Sequence, residues 1–386
     1  MRFLAIVFLV LTSCDSPTSS FLIFVSEVED LPVEQQQAAV DEFTSDKASF
    51  PYYESETSAV FLYRGEASSV SVAGDFTGWQ PGRTNLELIG ETDLWYNVSE
   101  FESDARLDYK IVVDDSLWIL DPQNPNAVLG GFSFNSELAM PGYVQPSEFF
   151  TTPEGSTGKI DSFGVATDLP GGSRRVWAYT PADYDSMRQE SYPVVIYHDG
   201  TDFVDIAGIQ KTLDNLIAWG RIEPIVALFL DPVDRMSEFW QEDADEYEDF
   251  VVGEFMTWAE ASYNISTDPA KRAVTGISLG GYVSAKICSR HPEVFGLCGP
   301  SSASFQINDE EQIRELSTYD ILPIKYYVDW GTYETVIHDA STSFVEVLTE
   351  KGYEFRSREW HEGHSWGSWR AHQDDMLEYF FPGPGL

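Results

Sequence analysis

Residues 273–290, with the sequence AVTGISLGGYVSAKICSR, combine a short apolar run, a glycine-flanked serine and a helix-forming segment. At the centre is the pattern Gly-x-Ser-x-Gly, formed by Gly276, Ser278 and Gly280. Small residues are needed beside the serine because a sharp turn from strand to helix leaves no room for larger side chains. Such a turn presents a serine hydroxyl near a helix N-terminus, where the dipole favours developing negative charge. The stretch therefore predicts a strand–turn–helix unit with Ser278 as a nucleophile.

Outward from this unit, the sequence alternates between apolar strands and helical stretches over residues 158–386. Strands are predicted at 174–180, 193–198, 225–230, 273–276, 297–299, 324–330 and 355–360. Helices are predicted at 247–262 and 280–290. This alternation is typical of an α/β domain with a mostly parallel sheet covered by helices.

A different pattern precedes this α/β region. Residues 56–146 contain short strands separated by turns, predicted at 60–65, 69–74, 94–98, 107–113 and 117–120. Short strands at this spacing predict a small all-β sandwich. A lead-in over 32–55 includes a predicted helix at 32–48, where Pro32 precedes good helix formers.

The N-terminus has the features of an export signal. Met1 and Arg2 are followed by the apolar run 3–11, which is too short to span a bilayer but fits the core of a signal peptide over 1–13. The end of this run, Leu11-Thr-Ser-Cys14, resembles the lipobox of bacterial lipoproteins, in which the cysteine is acylated. That resemblance implies a lipid on Cys14, a tether over 14–31 and a location on the bacterial cell envelope, anchored to a membrane surface. An ordinary cleaved signal is the alternative.

The charge balance excludes some classes of partner. The chain has 64 acidic and 23 basic residues, a formal net charge of −41. Such a surface repels nucleic acid and anionic lipid headgroups. Cys288 and Cys298 lack the spacing of a zinc site, and either one disulfide or two buried thiols fits them. No metal or organic cofactor is expected, and the oligomeric state stays open.

A nucleophilic serine needs a base within hydrogen-bond reach and an acid that orients the base. His364 follows the last predicted strand and Gly363, so it is the predicted base, with His361 as the alternative. Glu334 begins the loop after strand 324–330 and is the predicted acid, ahead of Asp339 and Asp329. His291 is expected at a helix end and His198 in a structural role.

An oxyanion hole should combine two backbone N–H groups. The first is expected from Leu279, directly after the nucleophile. The loop after strand 193–198 should supply the second, from Thr201 or Asp202.

Taken together, these segments resemble an esterase family that includes feruloyl, acetylxylan and enterochelin esterases. The matching segments are 176–181, 196–200, 231–238, 276–281, 291–296 and 363–366. The resemblance implies an α/β-hydrolase fold and supports Glu334 as the acid. It also implies a substrate cleft with Asp199, Arg235, Glu238 and Tyr282, although Arg235 and Glu238 equally fit a structural ion pair. Ser365 departs from the family pattern, in which an aspartate is common.

The β-rich segment carries a second resemblance. Residues 72–79 (VAGDFTGW), 109–114 and 118–122 resemble the early-set immunoglobulin-like modules that precede some catalytic domains. In some relatives exposed tryptophans of this module bind α-glucans, and Trp79 and Trp118 are candidates for that role. The alternative is that the module only shapes the neighbouring active site.

The family resemblance implies hydrolysis of carboxylic esters through an acyl-enzyme. The expected substrates are small-molecule or polysaccharide esters, namely acyl esters of polysaccharides or siderophore-like esters. Two alternatives stay open: a surface glycan-binding lipoprotein with an inactive hydrolase domain, and an acyltransferase.

Overall fold

The computed structural model describes residues 19–45, 47, 50–131 and 133–384. Cys14 and the predicted signal peptide lie outside the described residues. No helix within the described ranges is long and apolar enough to cross a membrane.

The described chain begins with two helices, α1 (Ser20–Glu29) and α2 (Val33–Ser45). The prediction of a tether over 14–31 is therefore wrong for its second half. Helix α1 forms because Phe21, Val25 and Val28 fall on one face and are buried. They pack with residues of the neighbouring sheet, including Val60 and Leu94. The helix predicted at 32–48 corresponds to α2.

A β-sandwich follows the two helices. Its strands are β1 (Tyr52–Tyr53), β2 (Ser58–Arg64), β3 (Val70–Gly74), β4 (Thr84–Asn85), β5 (Glu87–Leu88), β6 (Leu94–Glu100), β7 (Arg106–Val113), β8 (Leu117–Ile119), β9 (Ala127–Leu129) and β10 (Phe134–Ala139). One sheet has the order β1-β2-β6-β5 and the other β4-β3-β7-β10-β9, with β8 paired to β7. The five predicted strands are present, whereas β1, β4, β5, β9 and β10 were not predicted. The relation to early-set modules stays a prediction.

The second domain is built on an eight-stranded sheet. Its strands are β11 (Lys159–Ala166), β12 (Ser173–Thr180), β13 (Val194–His198), β14 (Val226–Leu230), β15 (Arg272–Ile277), β16 (Leu297–Ser301), β17 (Lys325–Gly331) and β18 (Glu354–Trp360). The order is β11-β12-β14-β13-β15-β16-β17-β18. The first three strands pair antiparallel and the remaining pairs are parallel. Among these strands, only β11 was not predicted.

Helices cover both faces of this sheet. They are α3 (Ser147–Phe150), α4 (Gly200–Asp205), α5 (Ile209–Ala218), α6 (Arg235–Trp240), α7 (Ala244–Phe250), α8 (Met256–Ser262), α9 (Leu279–Arg290), α10 (Glu311–Thr318), α11 (Thr335–Lys351), α12 (Trp366–Trp369) and α13 (Gln373–Phe380). A π-helical turn, Val251–Phe255, joins α7 to α8. The helix predicted at 247–262 is therefore continuous in sequence but changes its hydrogen bonding midway.

Strand β7 has two different faces, one apolar and one charged, and it contacts the second domain. Leu107, Tyr109, Ile111 and Val113 point into the sandwich core. Arg106, Asp108 and Lys110 alternate with them, so they lie on the opposite face. The backbone N–H of Arg106 donates to the carbonyl of His361 at 3.0 Å, beside the sheet edge where β18 ends.

Candidate active site

Ser278 sits at a strained turn between β15 and α9. Its backbone has φ 59° and ψ −117°, a conformation that is rare for a residue with a side chain. A Cβ atom at Gly276 would lie 2.5 Å from the carbonyl carbon of Gly280, so the turn closes only with glycine there. The geometry matches the strand–turn–helix unit that the sequence predicts.

At the same sheet edge, the buried Glu334 pairs with the more exposed His364. Glu334 follows β17, and its side chain is almost fully buried. One carboxylate oxygen lies 2.7 Å from His364 Nδ1, and the other accepts the N–H of Gly331 at 2.9 Å. With Nδ1 committed to the carboxylate, Nε2 is the ring atom left for proton transfer. The Trp369 ring meets the imidazole edge-to-face, 4.6 Å between centroids.

Ser278 and His364 line the same cavity, without a direct hydrogen bond in this structure. Among the described residues, the partner of the Ser278 hydroxyl is the Ser304 hydroxyl, 3.2 Å away. The Ser304 N–H also donates to the Ser278 carbonyl at 3.0 Å. Contacts between nucleophile and base are often long without substrate and tighten in the reacting complex. Sequence reasoning did not find Ser304, because its position depends on a contact between distant segments.

The alternative acids and bases have other partners. His361 lies 2.6 Å from Asp104 of the sandwich. Asp339 is exposed and pairs with its neighbour His338 at 3.3 Å. Asp329 is buried on β17, where loss of hydration raises its pKa to about 6.

His198 and His291 also lie away from this role. His198 is fully buried against the Tyr247 hydroxyl, and burial lowers its pKa to about 3. His291 caps the end of α9 and pairs with Glu248 at 2.9 Å.

The second oxyanion donor is not where the sequence predicts it. The Thr201 N–H donates to the Asp231 carboxylate at 2.6 Å, and the Asp202 N–H donates to the Asp199 carbonyl at 3.1 Å. The prediction of these two amides is therefore wrong for this structure. Leu279, the other predicted donor, is the first residue of α9, where backbone N–H groups lack helical acceptors.

Comparison with known proteins decides the family. The family described as "Putative esterase" matches residues 167–380, more than half of the chain. This chain belongs to that esterase family. An endo-1,4-beta-xylanase/feruloyl esterase of Xylanibacter ruminicola is 24% identical over 75% of the chain, and an iron(III) enterobactin esterase of Dickeya dadantii is 24% identical over 54%. The chain spans 40% and 52% of these relatives' own lengths.

A solved structure shares the fold of the esterase. The ferric enterobactin esterase of Salmonella typhimurium superimposes with a TM-score of 0.75 at 20% identity. The match covers 88% of this chain and 98% of that one, so it includes the sandwich as well as the α/β-hydrolase domain.

Two of the four residues predicted in the cleft lie there. Arg235 and Asp199 form a two-pronged ion pair, with N–O distances of 2.7 and 2.8 Å. Arg235 also donates to the Ile277 carbonyl at 3.2 Å, which supports the turn just before Ser278. Both residues line the cavity beside Ser278.

The other two cleft predictions are wrong. Glu238 is buried in a two-pronged ion pair with Arg174, at 2.9 Å for both contacts, and its role is structural. The predicted ion pair between Glu238 and Arg235 is also excluded, because the Arg235 guanidinium pairs with Asp199 instead. Tyr282 is buried on α9 with its hydroxyl 3.4 Å from Glu311, away from the residues that line the cleft.

The cavity of the esterase lies between its two domains and has a volume of about 700 Å³. The hydrolase domain contributes Ser278 and His364 together with Trp366 and Trp369. The sandwich contributes the opposite wall: Trp79, Asp108, Lys110, Trp118, Gly130, Gly131, Ser133 and Asn135. Of the two roles considered for Trp79 and Trp118, their placement favours shaping the active site. Sequence reasoning missed Lys110 and Asn135; for Lys110 the alternation of charged and apolar residues along β7 was a usable signal, whereas Asn135 lies on β10, which was not predicted.

Cys288 and Cys298 are free, buried thiols in this structure. Burial raises the pKa of the Cys288 thiol far above its usual range, which keeps it protonated.

Proposed function

We propose that this esterase hydrolyses carboxylic esters through an acyl-enzyme formed on Ser278. The observation that carries the proposal is that Ser278, at a strained turn, and His364, paired with the buried Glu334, line one cavity. Nucleophile, orienting acid and base follow each other along the chain as Ser278, Glu334 and His364, the order usual in α/β-hydrolases.

In the first step, the Ser278 oxygen attacks the ester carbonyl while His364 Nε2 takes the hydroxyl proton. Glu334 keeps the Nδ1 proton on the ring and stabilises the imidazolium that forms. The Leu279 N–H at the start of α9 stabilises the oxyanion, and His364 returns the proton to the leaving alcohol. Water then attacks the acyl-enzyme by the same sequence and releases the acid.

The proposed substrates are acyl esters of polysaccharides or siderophore-like esters. The names of the two curated relatives, a xylanase/feruloyl esterase and an enterobactin esterase, support one class each. The cavity of about 700 Å³ is large enough for a ring-bearing ester in either class.

An organophosphate, diethyl 4-nitrophenyl phosphate, tests the acyl-enzyme proposal because it phosphorylates activated serines. We expect one equivalent of 4-nitrophenolate to be released, and the adduct to be found on the peptide that contains Ser278. Ser289→Ala, on the far turn of α9, should be labelled like the wild type. Labelling of another residue, or equal labelling of Ser278→Ala, would overturn the proposal.

We also propose that Cys14 is acylated and holds the enzyme on the bacterial cell envelope. The support is the apolar run 3–11 followed by Leu11-Thr-Ser-Cys14. Radiolabelled palmitate should be incorporated into the wild type and not into Cys14→Ser when both are expressed in a bacterium. Equal incorporation into the two proteins would contradict the anchor.

A further inference from the structure

The sandwich wall of the cavity has the composition of a binding site. Trp118 is exposed, and Lys110 and Asn135 are half-buried beside it. Strand pairing places Val112 opposite Trp118 and Lys110 two residues from Val112. Lys110 and Trp118 are therefore diagonal neighbours on the same face of the sheet.

Trp79 completes this wall in a fixed orientation. Its indole N–H donates to the buried Asp75 carboxylate at 3.0 Å, and its backbone has φ 58°. A left-handed conformation is unusual for a bulky residue, and it persists only where surrounding contacts enforce it. The indole is thus held in place before any ligand arrives, which lowers the entropic cost of binding a ring.

The charges of the cavity are separated between its two walls. On the sandwich wall Arg106 pairs with Asp108 at 2.7 Å and with Glu137 at 2.8 Å, whereas Lys110 donates, among the described residues, to the Ser133 hydroxyl at 2.8 Å. Among the described residues no carboxylate lies within 4.0 Å of the Lys110 ammonium. On the hydrolase wall Arg235 is neutralised by Asp199, and Asp202 adds a carboxylate.

An unpaired lysine in this place is notable because the whole chain carries a charge of −41. The surrounding field repels anions from most of the surface, so a local cation is needed wherever an anion is to bind. We propose that this wall is a subsite for a flat ring with an anionic substituent, the ring on Trp118 and Trp79 and the anion on Lys110.

This inference rests on the proposed esterase function and deepens it: the preferred esters carry an acidic group on a ring. The ring is that of an aromatic acid or of a uronic acid, because both present a flat face to an indole and a carboxylate to an ammonium. The Asp202 carboxylate on the hydrolase wall disfavours the reverse orientation of the ligand, because that orientation would bring the ligand's anionic group close to a second negative charge.

Binding of matched, unreactive ring compounds tests the subsite. The pairs are 4-hydroxybenzoate with 4-hydroxybenzamide, and methyl glucuronide with methyl glucoside, each titrated by ligand-observed NMR at low ionic strength. The proteins are wild type, Lys110→Met, Lys110→Arg and Lys159→Met. Lys159 is an exposed lysine on β11, so its variant changes the net charge equally.

We expect wild type to prefer the anionic member of at least one pair, and Lys110→Met to weaken that preference by about fivefold. Lys110→Arg and Lys159→Met should keep it. The pair that responds tells whether the ring is aromatic or a sugar. An unchanged preference in Lys110→Met for both pairs would overturn the subsite.

Turnover of 4-nitrophenyl acetate is measured beside these titrations. Absence of turnover by the wild type would count against the proposed esterase function and not against the subsite, because ligand binding in the titrations requires no catalysis.

Discussion

At the scale of single residues, the proposed mechanism depends on one carboxylate in an acidic chain, that of Glu334. The Glu334 side chain is almost completely buried, with one oxygen against His364 Nδ1 and the other accepting the Gly331 N–H. A buried carboxylate in this position holds the imidazole in one tautomer and offsets the charge that the ring acquires.

Replacing Glu334 with Gln should therefore lower kcat by roughly 10²–10⁴, with a small change in KM. The amide keeps the shape but offers no charge to the imidazolium. Asp339→Asn, five positions along and exposed, removes the same charge and should leave turnover of 4-nitrophenyl acetate nearly unchanged. Equal rates for the two variants would show that Glu334 is not the acid.

At the scale of elements, the loop that carries His364 is held by the sandwich. The loop between β18 and α13 contains Gly363, which packs against the buried Asp75 of the sandwich. Ser365 accepts a hydrogen bond from the Arg106 guanidinium at 3.1 Å, and Gly367 lies against the same group. Arg106 of the sandwich thus supports the loop that carries His364.

Gly363→Ala tests this docking, because its Cβ would overlap the Asp75 side chain. To relieve this clash, either the loop that carries His364 or the sandwich must move. We therefore expect kcat to fall at least about tenfold. Gly253→Ala is the control, since nothing lies within 4 Å of its added Cβ. Comparable activity of both variants, with both folded by circular dichroism, would contradict the docking role.

These elements also show what the sequence predicts well. The serine turn, the strands around it and the Glu334–His364 pair follow from local patterns and from the order of the catalytic residues. The Thr201 and Glu238 predictions failed because Asp231 and Arg174, which lie 30 and 64 positions away, take their hydrogen bonds. The cavity wall on the sandwich could not be predicted from the sequence for the same reason, because it forms only where residues of the two domains meet.

At the scale of the whole molecule, the charge of −41 sets the conditions in which the fold is stable. Most carboxylates are exposed and repel one another at low ionic strength, where the screening length is about 30 Å at 0.01 M salt. Salt shortens this length to about 10 Å at 0.1 M and reduces the repulsion.

The Tm should therefore rise by several degrees as NaCl increases from about 0.01 M to 0.5 M, and then level off. Differential scanning calorimetry gives this curve directly, and KCl should give the same one because screening does not distinguish the two cations. A Tm that stays constant or falls over this range would show that repulsion between surface carboxylates does not limit the stability of the fold.

The role of Ser278 as the nucleophile of an ester hydrolase is tested by kcat/KM for 4-nitrophenyl acetate. The proteins to measure are wild type, Ser278→Ala and the Ser289→Ala control. We expect turnover by wild type and the control, and a loss of roughly 10³–10⁶ in Ser278→Ala. Turnover by Ser278→Ala within about tenfold of wild type, or folded wild type that hydrolyses no ester, would contradict this role.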